Sequence, residues 1–115
     1  MNVQELYEKG FELRCSGNYG EAKSVLQQVL SEQDDHADAN WQLGLIAGFE
    51  GDFNGSIALL KAVVRSDANH IGARYDLAMT YMMLGMESEA CEEFREVLRQ
   101  DPDHEKAKQQ IIYCP

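Results

Sequence analysis

The chain of 115 residues reads as an all-α protein made by stacking helical hairpins, and three observations predict it. Residues of one kind recur every 34 positions, as in Gly10, Gly44 and Ala78, in Ala22, Ser56 and Ala90, and in Gly17, Gly51 and Gly85. Between these marks the apolar residues fall at the spacing of one buried helical face, and no strands are expected. Short turns that open on glycine interrupt the helices at the same interval. A single hairpin cannot bury its apolar faces alone, so about three are the least number that should stand in water.

The first helix is expected over residues 3–16, with Leu6, Gly10 and Leu13 facing inward, and Gly17 ends it. The turn Gly17-Asn18-Tyr19-Gly20 leads into a second helix that carries Val25, Leu26, Val29 and Leu30 inward. The same grammar returns as Gly51-Asp52-Phe53-Asn54 before Ile57, Leu60, Val63 and Val64, with Asn54 expected as the helix cap. It returns again as Gly85-Met86-Glu87-Ser88, with Ser88 expected as the cap. Asp35, Asn69 and Asp103 stand just before the helix that opens the next unit, where a side-chain oxygen accepts free amide hydrogens. Pro102 stops the helix before it. Gly10, Ala22, Gly44, Ser56, Ala78 and Ala90 are expected where two helices cross most closely, since a larger side chain would force the axes apart.

The segment Ile71 to His104, IGARYDLAMTYMMLGMESEACEEFREVLRQDPDH, carries Leu77, Ala78, Tyr81, Gly85, Ala90, Phe94 and Pro102 at the spacings of one tetratricopeptide repeat, which it resembles. Earlier frames bring Leu43, Gly44, Gly51, Leu60, Val63 and Val64, then Gly10, Gly17, Ala22, Leu26, Val29 and Leu30, into the same register. The repeats are 3–36, 37–70 and 71–104, and 105–115 begins a partial capping helix. The first is the most altered: Lys9 stands where Leu43 and Leu77 do, as befits an end with no neighbour, and Asp34 and Ala68 replace the proline. The resemblance implies a right-handed α-solenoid whose concave side is lined by the first helix of each repeat.

Counting by four and then three along those helices gives the expected partner-binding stripe: Tyr7, Phe11 and Arg14, then Trp41, Leu45 and Gly48, then Tyr75, Met79 and Met82. Relatives that grip the acidic tail of a heat-shock chaperone put Lys, Arg and Asn there. Here the stripe is aromatic and apolar, so a carboxylate clamp is not expected. It suits an apolar or amphipathic segment, and Gly48 leaves room for one anchor. Glu5, Glu8, Glu12, Asp38, Glu50 and Asp76 on these helices or at their ends favour basic flanks on that segment, with association slowed by salt. Trp41 is the ring expected to matter most, as an open interface anchor. Against this, an apolar stripe at helical spacing is often core, and some of Leu45, Phe49 and Met83 are expected to be so.

Ten Lys and Arg against twenty Asp and Glu leave a formal charge of −10, which argues against nucleic acid and anionic membrane surfaces. No secretory signal and no membrane-spanning stretch is read. Cys15, Cys91 and Cys114 have neither metal-knuckle nor redox-pair spacing, so thiols and a cytoplasmic setting are expected. His36, His70 and His104 recur every 34 residues but should stand a helix spacing apart, too far to share a metal. No catalytic constellation or phosphate loop is present, and no enzyme activity, cofactor or metal is expected.

The sequence thus predicts a non-catalytic protein-interaction module that holds a protein or peptide segment in its concave groove. The alternative is a self-associating scaffold, with the stripe or residues 111–115 joining copies into a homo-oligomer. A secretion-type chaperone with three such repeats ranks last. That family carries an extra N-terminal helix for dimerisation, whereas two residues precede the repeats here.

Overall fold

The computed structural model describes residues 1–115. Seven helices follow in order: α1 Val3–Cys15, α2 Tyr19–Glu32, α3 Ala37–Phe49, α4 Phe53–Ser66, α5 Ile71–Met83, α6 Glu87–Gln100 and α7 Glu105–Ile111. They form three hairpins and a final short helix, in a body of 47 × 26 × 21 Å. No helix is long and apolar enough to cross a membrane.

Gly17, Gly51 and Gly85 have φ of 84°, 86° and 76°, left-handed values that a residue without Cβ adopts at no steric cost. The turn after each closes with one further bond, Asn18 N to Leu13 O, Asp52 N to Ala47 O and Met86 N to Tyr81 O, at 2.8–2.9 Å. The caps differ from those expected. Asp52, not Asn54, caps α4 by accepting from Gly55 N, and α6 has Met86 at its N-cap position with no side-chain cap from Ser88. The helices that open later units are capped by His36, His70 and His104, whose Nδ1 atoms accept from Ala39, Ala73 and Ala107 N at 3.0–3.1 Å. Asp35 therefore does not cap, and Asn69 and Asp103 turn their own amides back to Asp67 and Asp101.

Packing follows the small residues. Gly10, Ala22, Gly44, Ser56, Ala78 and Ala90 are all buried. Leucines cover the first-helix glycines: a Cβ on Gly10 would stand 2.7 Å from Leu26 Cδ2, and one on Gly44 3.0 Å from Leu60 Cδ2. Leu26, Val29, Ala39 and Ile46 form one core cluster, and Leu60, Val63, Leu77, Tyr81, Phe94 and Val97 anchor another. α1 packs on α3 and α3 on α5 as well as each on its hairpin partner, so the first helices draw together into the inner layer.

At the C-terminal end, Ala107 is buried and Ile111 packs on the second cluster, while Ile112 and Tyr113 stand 73% and 71% exposed. The cysteines depart from expectation: Cys91 on α6 is bonded to Cys114, and only Cys15 is free. The premise of unpaired thiols behind a cytoplasmic setting is thereby removed.

Candidate functional site

The inner layer carries a repeated aromatic contact. Tyr7 stacks on His36, Trp41 meets His70 edge-on and Tyr75 lies on His104, with ring centroids 4.7–5.1 Å apart. Each first helix thus presents a ring to the histidine that caps the next, so Tyr7, Trp41 and Tyr75 of the expected stripe are half-buried joints between repeats. Trp41 is not the open anchor expected. Its six-membered ring covers Gly72, where a Cβ would stand 2.7 Å from Trp41 Cζ2, and its Nε1 donates to Asp76 Oδ2 at 2.7 Å.

Tyr7 and Arg14 converge on Gln42, which is buried on α3. Arg14 Nε donates to Gln42 Oε1, and Gln42 Nε2 donates to the Tyr7 hydroxyl at 3.4 Å. Burial, followed by the nearby Asp38 charge, raises the pKa of the Tyr7 phenol. The Arg14 guanidinium also lies 5.3 Å from the centre of the Phe11 ring, which is 40% exposed. The groove between α1 and α3 is therefore closed by the chain's own side chains. Met82 packs against the core formed by the last hairpins.

Along the first helices, open space remains between α3 and α5. A cleft of about 180 Å³ runs between Leu45, Gly48 and Phe49 on α3 and Asp76, Met79, Thr80 and Met83 on α5, with Phe53, Ser56 and Leu60 of α4 behind it. Leu45, Gly48 and Met79 of the expected stripe meet here; Tyr7, Phe11, Arg14, Trp41, Tyr75 and Met82 do not line it. Phe49 and Met83 are not core. They stand 58% and 65% exposed at the helix ends, and Phe49 stacks on Tyr19.

Asp76 is the one charged group of this cleft. Burial raises its pKa above the usual aspartate value, and the bond from Trp41 with the charges of Lys106, Arg14 and His70 pulls it back in part. Its Oδ1 accepts no hydrogen bond from the chain, and no ion pair includes it. By sequence alone Asp76 is one of several rim charges. The recurrence of Gln42 34 residues earlier, also polar on an inner helix, was the available signal.

An inner layer of first helices over an outer layer of second helices, with a glycine turn in each hairpin, defines an α-solenoid of helix-turn-helix repeats. A sequence profile of the tetratricopeptide repeat matches residues 50–111, more than half of the chain, and the chain belongs to that family. No curated protein matches it. Among solved structures it is similar to the first TPR of Spaghetti (RPAP3) bound to the HSP90 peptide SRMEEVD, with a TM-score of 0.89, 16% identity, and coverage of 96% of this chain and 88% of that one. It is similar to MamA at TM-score 0.87 and 22% identity, covering 96% and 64% of the two chains. An O-GlcNAc transferase of Thermobaculum terrenum gives TM-score 0.87 at 22% identity over 95% of this chain but 21% of that one. The chain spans less than two thirds of the length of MamA and of the transferase. At these identities the likeness is one of fold.

Proposed function

We propose that the protein is a non-catalytic interaction module that holds a segment of another protein in the cleft between α3 and α5. The single observation that carries this is the cleft itself, apolar on both walls and edged by the exposed rings and thioethers of Phe49 and Met83. Apolar area of this kind suits the nonpolar anchor of a helical or extended segment. The Spaghetti repeat holds an acidic peptide, SRMEEVD. This cleft offers a carboxylate instead, and the chain's formal charge of −10 favours a basic-flanked protein segment over nucleic acid or a membrane surface.

A second reading, self-association, draws support from the exposed Ile112 and Tyr113 beside the last helix. Affinity capture from source-cell lysate separates the two. Under the cleft reading, Met79→Gln loses a heterologous partner that Ile112→Ser/Tyr113→Ser keeps. Capture of the protein's own copies, lost only with the tail variant, establishes the scaffold in its place. A cytoplasmic setting belongs to the same proposal and requires Cys91 and Cys114 as thiols there. Alkylation in intact cells, followed by a thiol count, reads their state.

A further inference from the structure

The open cleft has a filled counterpart one repeat earlier. Arg14 and Gly48 are equivalent positions 34 residues apart, and so are Gln42 and Asp76. Between α1 and α3 the position-14 side chain is an arginine, and its Nε donates to the buried Gln42 amide oxygen. Between α3 and α5 that side chain is missing, because the position holds Gly48, and the polar acceptor is a carboxylate. The second site is thus the first with its arginine removed and its acceptor made anionic.

We propose that the cleft between α3 and α5 is an arginine site, taking the guanidinium of a partner protein's segment onto Asp76 with its alkyl stem against Leu45 and Met79. The inference rests on the groove reading above and names the chemistry that the groove selects. Apolar walls cover the methylenes of a long cationic side chain, and the carboxylate meets its head. Trp41 pins one oxygen of that carboxylate and leaves Oδ1 without a donor. Its other oxygen is held by Trp41 and no cation of the chain forms an ion pair with it, so an incoming guanidinium meets a fixed acceptor. A Cβ on Gly48 would meet nothing closer than Ser56 Oγ at 3.5 Å, so the site is open from the α3 side as well.

The test uses arrays of short randomised peptides with the central residue fixed as arginine, norleucine or glutamate, bound to the whole chain and followed by fluorescence of Trp41, its one tryptophan. The arginine pool should bind about tenfold tighter than the norleucine pool, the yield of one charge-assisted hydrogen bond, and Asp76→Asn should remove that difference. Gly48→Arg should fill the site from within, raising the melting temperature above that of Gly48→Leu and abolishing arginine-pool binding. Adding Asp76→Asn should cancel that gain in melting temperature. Equal binding of the arginine and norleucine pools, or a preference that survives Asp76→Asn, overturns the arginine site while the groove reading stands. Failure of every pool to bind overturns both.

Discussion

The indole N–H of Trp41 donates to Asp76 Oδ2 at 2.7 Å across the line where α3 meets α5. This bond fixes the rotamer of the carboxylate and ties two repeats together, so one ring serves both the joint and the cleft. It does not relieve the whole cost of burial, because the carboxyl remains above its ordinary pKa.

Asp76→Asn is therefore expected to leave the fold at least as stable at neutral pH. The asparagine amide oxygen still accepts from Trp41, and the desolvated charge is gone. The sign follows from the raised pKa. The share of stability linked to the Asp76 proton is complete below the unfolded value, near 3.8, and is lost as pH rises through the higher folded value. Arg14, His70 and Lys106 act in the opposite sense without reversing it. Thermal melts across the acid range should show the variant's advantage at pH about 7 and its disappearance by pH about 4. A variant markedly less stable at neutral pH would show that the charge itself holds α3 to α5.

His70 makes three contacts that substitution can divide. Its Nδ1 caps α5 at Ala73, its ring meets Trp41, and its Nε2 lies 2.9 Å from the exposed Asp38. His70→Ala should cost about 2 kcal/mol, the sum of a lost cap and a lost aromatic contact. His70→Asn restores an acceptor for the cap and should recover about half of that. Denaturant melts measure the difference, while Trp41 emission should shift to longer wavelength in both variants as its edge is uncovered. Equal stability of the two variants would assign the whole effect to the ring.

The residues that set the period were legible in the sequence because each answers a local demand. Gly17, Gly51 and Gly85 are needed for left-handed turns, and Gly10 and Gly44 for leucines that lie against them. The caps are less legible since Asp and Asn are the common choices, yet the sequence holds the signal: His36, His70 and His104 each precede an alanine by three, and each follows an aromatic residue by 29. Phe49 and Met83 looked like core by helical spacing. They lie at the last turn of their helices, beyond the neighbour that would cover them, which spacing alone does not register. The contact of Cys91 with Cys114 depends on how α7 folds back on α6, so nothing in their separation of 23 residues announced it.

That bond yields a stability prediction. It closes a loop containing α7, which has only a small buried face, and joins Arg95, whose Nη2 donates to Pro115 O at 3.1 Å, in holding the tail. Reduction, or Cys114→Ser, should lower stability by about 3 kcal/mol if loop entropy dominates. Thiol titration of the native chain should find Cys15 alone before reduction and all three cysteines after it. A melt unmoved by reductant would mean that α7 and α6 stay docked through Ala107 and Ile111 without the covalent tie.

Three glycines inside helices separate packing from propensity. Replacing glycine by alanine in a helix interior stabilises by about 0.5–1 kcal/mol when the new methyl finds space. Gly48 has that space, its nearest neighbour being Ser56 Oγ at 3.5 Å, so Gly48→Ala should raise the melting temperature while narrowing the cleft. At Gly44 a Cβ would meet Leu60 Cδ2 at 3.0 Å and Cγ at 3.1 Å, and at Gly10 it would meet Leu26 at 2.7 and 2.8 Å. Both leucines are fully buried and have little room to retreat. Gly10→Ala should therefore cost about 1–3 kcal/mol, Gly44→Ala less, and Gly48→Ala should gain. Calorimetry on the three variants orders them. If all three stabilised alike, the leucines would have to be free to move, and close approach would not be what keeps glycine at positions 10 and 44.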